Sequence, residues 1–412
     1  MRARAMALLL VAAGAQAAPD TLYALPPEAQ VRRVLASLPS LRQGALNTQL
    51  AGAERDKLIA GPYEWTLRAG ASGRRAPGGE RYLEQEMALE RPLRWFGKAG
   101  QDQALGEQGL AVARALYADA WHEAGRALLR DWFDALGELA GVARLEEQLA
   151  VTQQLQAAAA RRLRAGDGAA LELLQADTEQ QRVLALLQQA RQRSEQPLTL
   201  LAVSYPGLPL PQDAALPLPL PQASTGSDSV PAWVERIAHD NHELQLAQAE
   251  ADLYAMRASR LASDAMPDPT LALRAARERD GQERVFGVSL SFPLPGAGRA
   301  ADKSGAAIKA SMARERLAQT QLRVTLAARR AASDSVHSHA IWATLQQVQQ
   351  QTIGQAELMQ RAYQAGEGTL SAALAGRRLA LDAALAAQTA QIEALAAQAR
   401  LQLDAHAIWS ID

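Results

Sequence analysis

The chain doubles back twice through the same short motif. Around Gly166 it reads RRLRAGDGAALELLQADTEQQ, and around Gly366 it reads RAYQAGEGTLSAALAGRRLALD. In each, Ala-Gly-acid-Gly interrupts a long, alanine-rich, glycine-poor run with helical character on both sides. The glycine pairs, Gly166/Gly168 and Gly366/Gly368, are offset by 200 residues (366 − 166). Two glycines around one acid supply the positive φ and helix termination that a tight helix-to-helix turn requires. The sequence therefore predicts two long helical hairpins with tips at 165–168 and 365–368. A 412-residue chain built from two copies of one unit is the frame for everything else.

A second landmark repeats at nearly the same distance. After a helical region from Glu28 to Ala60, with a break or a fresh helix start at Pro39, the pattern changes from a helical period to a period of two. Tyr63, Trp65, Leu67, Ala69 and Ala71 alternate with Glu64, Thr66, Arg68, Gly70 and Ser72. Beyond Pro77-Gly78-Gly79, Leu83, Met87 and Leu89 alternate with Glu84, Glu86, Ala88 and Glu90, Gln85 being the polar intruder on the apolar face. The second half repeats the plan. Pro267-Asp268-Pro269 precedes Leu271, Leu273 and Ala275 against Thr270, Ala272 and Arg274; then Phe286, Val288, Leu290 and Phe292 alternate with Gly287, Ser289 and Ser291. These are four strands, at 63–76, 81–91, 270–278 and 284–292, each with one greasy and one polar face. Arg91-Pro92-Leu93 matches Phe292-Pro293-Leu294 at an offset of 201 (292 − 91), which makes the duplication firm. After each strand pair a helix of about 100 Å runs to the tip. Trp132, Leu136 and Leu139 form a seam on the first, and Ile341, Leu345 and Val348 on the second, as coiled-coil spacing predicts.

The halves span 18–204 and 225–412, joined by a proline-rich connector at 205–224, a stiff, extended crossing. The first 17 residues read as a secretory signal: Arg2 and Arg4, a short apolar core, and Ala15-Gln16-Ala17 as the cleavage site. Lys+Arg 43 against Asp+Glu 44 gives a net charge of −1, which argues against a nucleic-acid partner. There is no cysteine, which excludes disulfides, thiolate metal sites and a lipid-modified N-terminal Cys.

Four amphipathic strands of about ten residues have the length for a tilted bilayer crossing, but cannot close a barrel alone, and lipid does not tolerate open edges. Several copies must share one barrel. Glu64, Arg68, Glu84, Glu86, Glu90 and Arg274 would line its water-filled lumen, while Trp65, Leu67, Met87, Phe286 and Phe292 would face lipid. The long helices would then continue the barrel as an aqueous tube.

On these residues the chain resembles the TolC-like outer-membrane efflux proteins, over nearly all of its mature length. The resemblance rests on the element order, both tip turns, Pro267-Asp-Pro-Thr-Leu271, and Gly287-Val-Ser-Leu-Ser-Phe-Pro-Leu294 running into Gly298-Arg299. It implies a mainly α fold with a small β part: duplicated long helical hairpins, plus four strands contributing to a twelve-stranded barrel of a homotrimer. It further implies an exit duct that meets a periplasmic adaptor and an inner-membrane pump of the resistance-nodulation-division type. Arg162, Gly166, Asp167 and Gly168 at the first tip, and Tyr363, Gly366, Glu367 and Gly368 at the second, are the implied gate and adaptor-contact positions. The stretch GPYEWTLRAGASGRR resembles the heavy-metal branch, implying heavy-metal cations or small toxic compounds as cargo. One departure is plain: many family members carry carboxylates just past the second tip, where this chain has Ala372 and Ala375.

The competing readings are a soluble periplasmic coiled-coil scaffold or adaptor, and the same duct serving type I protein secretion. His239/His242 and His337/His339 invite a metal site, yet neither pair has a third ligand nearby in sequence, so they read as solvated. Trp95-Phe96 reads either as an interfacial anchor or as packing below the strands. There is no Gly-rich phosphate loop after a strand and no nucleophile elbow. The expectation is no enzyme, no cofactor and no resident metal.

Overall fold

The computed structural model of the chain describes residues 24–211, 216–221 and 229–411; the predicted signal segment and parts of the connector lie outside them. In order, the elements are α1 (Glu28–Ser37), α2 (Pro39–Ala60), β1 (Thr66–Arg75), β2 (Arg81–Pro92), α3 (Lys98–Arg164), α4 (Ala170–Ser204), α5 (Val230–His239), α6 (His242–Ala262), β3 (Thr270–Glu278), β4 (Glu283–Ser291), α7 (Ala297–Gln364) and α8 (Leu370–Asp404). The duplication shows in the lengths: α3 and α7 have 67 and 68 residues, α4 and α8 have 35 each. Pro39 starts α2 at the first helical position, where its missing N–H costs nothing. No described helix is long and apolar enough to cross a membrane.

The chain divides into two compact units. One comprises Leu38–His122 and Ala238–Ala327; the other comprises Glu123–Ile237 and Ala328–Asp412 with the residues up to Ser37. The first holds the sheet, a four-stranded antiparallel meander in the order β1-β2-β3-β4. Among its helices the packing is close enough for backbone to matter: a Cβ on Gly106 would fall 2.9 Å from the Cα of Arg55, so α3 and α2 touch at glycine.

In the second unit the core is small clusters threaded along the helices. Trp233 and Ile237 pack with Ala328, Ala332 and Leu401; Leu145, Leu187, Ala190 and Leu381 form another cluster. Each buried leucine contributes roughly 1.5–3 kcal/mol. The seam predicted for α7 is displaced by one residue. Ile341 and Val348 are exposed, while Ala332, Ser335, Trp342, Ala356 and Tyr363 carry the buried stripe. The buried stripe mixes small residues with Trp342 and Tyr363, and of the predicted seam Leu345 packs against the Trp342 cluster. The seam on α3 is better placed, with Trp132 and Leu136 both buried and Trp132 Nε1 donating to the Ala24 carbonyl at 2.7 Å.

Part of the connector is tied to α8 by two glutamines. Gln391 Nε2 donates to the Pro217 carbonyl at 2.9 Å; Gln398 accepts from the Leu220 amide at 3.1 Å and donates back to the Leu220 carbonyl at 2.5 Å.

Candidate functional site: two tip turns and a one-sided sheet

The tip turns share one hydrogen-bond pattern. At the second, Glu367 N donates to Ala362 O at 3.0 Å and Gly366 N to Tyr363 O at 3.1 Å; at the first, Asp167 N donates to Arg162 O at 3.0 Å and Gly166 N to Leu163 O at 3.1 Å. This is the Schellman closure, with a left-handed glycine just past the helix end. Gly166 and Gly366 both have φ 79°. Gly168 and Gly368 do something else, contrary to the expectation that both glycines supply positive φ. A Cβ on Gly168 would lie 2.9 Å from Leu163 N, and one on Gly368 would lie 3.2 Å from Tyr363 N. The second glycine of each pair lets the chain lie against the helix it has just left.

The structure brings Arg162, Asp167 and Tyr363 together. The Arg162 guanidinium stacks 5.1 Å over the Tyr363 ring and its Nε lies 3.7 Å from Asp167 Oδ2. Tyr363 is only 1% exposed, packed with Leu155, Ala159, Ala176, Leu370 and Leu374. Its hydroxyl donates to Glu172 at 3.4 Å. Burial, then the Glu172 charge, raise its phenol above the usual range. Of the implied contact set, Gly166, Asp167, Gly366 and Glu367 are exposed, while Tyr363 supports the turn from inside. Ala372 and Ala375 are exposed, and the Ala372 amide is capped by Thr369 Oγ1 at 3.3 Å.

Sequence reasoning missed the ionic centre above the tips. Glu179 of α4 is fully buried and accepts from Arg182 on its own helix at 2.8 Å and from Arg378 on α8 at 2.6 Å. Burial alone would raise its carboxyl, but the hydrogen bonds from the two arginines outweigh burial and hold it below the usual carboxylate range. The partners are 199 residues apart in the chain, so no local pattern reveals the pair.

The sheet sorts its residues by face. Leu67, Leu89, Leu273 and Val288 form one cross-strand row, and Ala69, Met87, Ala275 and Phe286 the next. No described residue covers this face: Leu67 is 64% exposed, Val288 72% and Phe286 79%. On the opposite face the charges pair, Arg68 with Glu90 at 2.6 Å, Arg74 with Glu84 at 3.2 Å and Arg274 with Glu86 at 3.0 Å. Four of the six predicted lumen charges lie on β2 or β3, and Arg68 lies on β1. Glu64 falls outside, because β1 begins at Thr66 and not at 63. The preceding residues are held differently: Tyr63 donates to Asp268 at 2.6 Å, and Arg91 lies 5.5 Å over the Trp65 ring. Phe292 follows β4, and with Phe96 it flanks the Trp95 ring at centroid distances of 6.3 and 5.9 Å.

Below these aromatic residues sits a second centre that the sequence did not show. Lys98, only 2% exposed, bridges Asp264 and Asp268 at 2.8 Å each, and Arg260 joins Asp264 to Asp102. Burial alone would raise both aspartates; Lys98 with Arg260 on the first, and Lys98 with Tyr63 on the second, lower them instead. Burial and the bond to Asp268 push Tyr63 up to about 12. The centre locks the strand bases to α3 and α6. Of the histidines, His239 meets Asp240 and His339 lies edge-on to Trp342; no group of three or more ligating side chains occurs among the described residues. His242 instead faces His122 across the packing, ring centroids 6.1 Å apart.

This architecture is that of known outer-membrane channels. The outer membrane channel CmeC of Campylobacter jejuni matches with a TM-score of 0.73 at 14% identity, over 93% of this chain and 86% of that one. The outer-membrane channel OprN matches with a TM-score of 0.76 at 17% identity, over 95% and 92%. The outer membrane protein VceC of Vibrio cholerae matches with a TM-score of 0.73 at 16% identity, over 92% and 95%. The chain shares their fold. No family model matches the sequence, and no curated protein matches it. At such identities the likeness is one of backbone, which is why the side-chain chemistry has to be read from this chain itself.

Proposed function

We propose that the chain is one copy of a trimeric outer-membrane channel, the exit duct of a tripartite efflux system. The observation that carries this reading is the uncovered apolar face of a sheet whose opposite face is charge-paired and whose edge strands, β1 and β4, are both open. Water covers neither feature cheaply. Lipid against one face, water against the other, and the next copy at each edge satisfy both. Three copies would join β4 of one to β1 of the next in a twelve-stranded barrel, and the long helices would form the periplasmic conduit. A soluble scaffold has no use for the exposed rows of Leu67, Phe286 and Val288.

In this reading Gly166, Asp167, Gly366 and Glu367, with Arg162 beside them, meet a periplasmic adaptor, and an inner-membrane pump of the resistance-nodulation-division type supplies the energy. Opening requires the tip hairpins to separate, so the Glu179–Arg378 link between α4 and α8 has to break or swing with them. With Ala372 and Ala375 in place of carboxylates, that link, the Arg162–Tyr363 stack and the Tyr363–Glu172 hydrogen bond are the ties that hold the tips. The cargo class is heavy-metal cations or small toxic compounds, passed without a catalytic step.

Fractionation followed by an unboiled gel of detergent-extracted membranes tests the reading. The expected result is an outer-membrane band that runs as a trimer and collapses to monomer on boiling. A soluble periplasmic monomer would overturn it.

A further inference from the structure

Apart from Arg91, which is held by the Tyr63 carbonyl and the Trp65 ring, the arginines of the sheet fall into two classes. Arg68, Arg74 and Arg274, on the polar face, each have a glutamate partner. Arg75, Arg81, Arg277 and Arg284 lie on the apolar face, are exposed, and form no ion pair among the described residues. Every carboxylate of the four strands (Glu84, Glu86, Glu90, Glu278 and Glu283) lies on the opposite face by register. The acids of the adjoining turns are engaged elsewhere: Asp280 accepts from the Leu83 amide, Glu80 from the Tyr82 hydroxyl, and Glu283 pairs with Arg279.

Register makes the arrangement more pointed. Arg75 is directly opposite Arg81, and Arg277 directly opposite Arg284. Like charges facing each other across strands are destabilising. Two such pairs, on a face with no carboxylate, leave room for an anion from outside the chain to relieve the repulsion. They lie at the hairpin ends of the strands, beyond the Phe286 and Val288 rows. Along β2, Arg81 is ten residues from Arg91 at the strand's other end, about 33 Å at 3.3 Å per residue. With the usual strand tilt that spans an apolar band of about 25 Å for Arg75 and Arg81. Arg277 and Arg284, level with Gln85, start four residues (85 − 81) nearer its middle and reach the same surface along their side chains.

Resting on the membrane reading above, we infer that Arg75, Arg81, Arg277 and Arg284 bind the phosphate groups of outer-leaflet lipid. Guanidinium groups take phosphate oxygens through paired N–H donors, and two arginines per phosphate relieve the repulsion that the bare sheet carries. The apolar rows beneath them would hold the acyl chains of the same lipid, which is why a lipid and not a free anion is the fitting ligand.

The test uses the detergent-solubilised full-length protein, melted with bisphosphorylated lipid A, with the same lipid dephosphorylated, and with inorganic phosphate at matched phosphate concentration. The phosphorylated lipid should raise Tm, and the other two should not. R277Q/R284Q should bind the phosphorylated lipid more weakly by roughly fivefold per arginine removed, while R68Q, on the other face, keeps the wild-type response. R284E, which turns a repulsive pair into an ion pair, should raise Tm in bare detergent and lose the lipid response. An equal response to dephosphorylated lipid, an undiminished one in R277Q/R284Q, or its reproduction by inorganic phosphate would overturn the inference. A heat-dissociable outer-membrane trimer lacking the phosphate response would sink this inference alone, whereas a soluble monomer would sink the channel reading beneath it.

Discussion

The two tips have the same turn and opposite surroundings. Gly166 and Gly366 share a φ of 79° and the same pair of closing hydrogen bonds. Yet Leu374, after the second tip, is 5% exposed, while its counterpart Leu174 after the first is 62% exposed, with Leu171 beside it at 61%. Tyr363 is fully buried where its counterpart Leu163 is only partly so. Turn geometry is written locally, by a glycine and its neighbours; burial is decided by where the hairpin stands in the bundle. One tip is thus built to be packed against and the other to present leucines outward.

Truncation should expose this difference most strongly. Tyr363→Ala is expected to cost about 3–5 kcal/mol, as for other large buried aromatics, while Leu163→Ala costs well under half of that; thermal melting of the purified protein separates them. Leu374→Ala should cost about 2–5 kcal/mol and Leu174→Ala no more than about 0.5 kcal/mol. Equal losses at the paired positions would mean that the tips are buried alike in the assembled protein. The glycines sharpen the comparison further. Gly168→Ala meets backbone at 2.9 Å and Gly368→Ala at 3.2 Å, so the first should be the costlier, by about 1 kcal/mol. Gly166→Ala and Gly366→Ala, with equal φ and open space around both, should cost alike, about 1–2 kcal/mol each.

The smallest effect is electrostatic. The Glu179 carboxyl is held below its ordinary range, so its contribution is present above that range and is lost as pH falls through the lowered value. Wild-type Tm should therefore drop below about pH 4 more steeply than that of Glu179→Gln, by a stability difference of about 1 kcal/mol given the half-exposed arginines. Parallel acid profiles for the two proteins would remove Glu179 from the link between α4 and α8.

The sequence carried the element order well because glycine, proline and period-two alternation act over a few residues. The strand at Thr270–Glu278 has the predicted bounds. The first strand is shorter than predicted because Tyr63 and Trp65 continue the alternation but are claimed by Asp268 and Arg91. The α7 seam was read one residue out at Ile341 and Val348, because spacing alone does not separate Ile341 from its equally apolar neighbour Trp342, which is the one that is buried; Leu345 does pack against it. Neither ionic centre was legible. Lys98 meets Asp264 and Asp268, and Glu179 meets Arg378, across separations that only the fold brings together. The sorting of arginines by face was present in the alternation all along, but needed the register to show Arg277 opposite Arg284.

The glutamine ties on the connector have a consequence for how this chain can vary. Gln391 and Gln398 are seven residues apart on α8, about 10.5 Å at 1.5 Å per residue. The peptide groups they hold, at Pro217 and Leu220, are three residues apart, about 9 Å at the extended polyproline rise. Both glutamines read main-chain atoms and ignore side chains. Composition between the anchors is therefore free to drift while spacing is not: the helix serves as a gauge, and a single inserted or deleted residue there puts one anchor about 3 Å out of step.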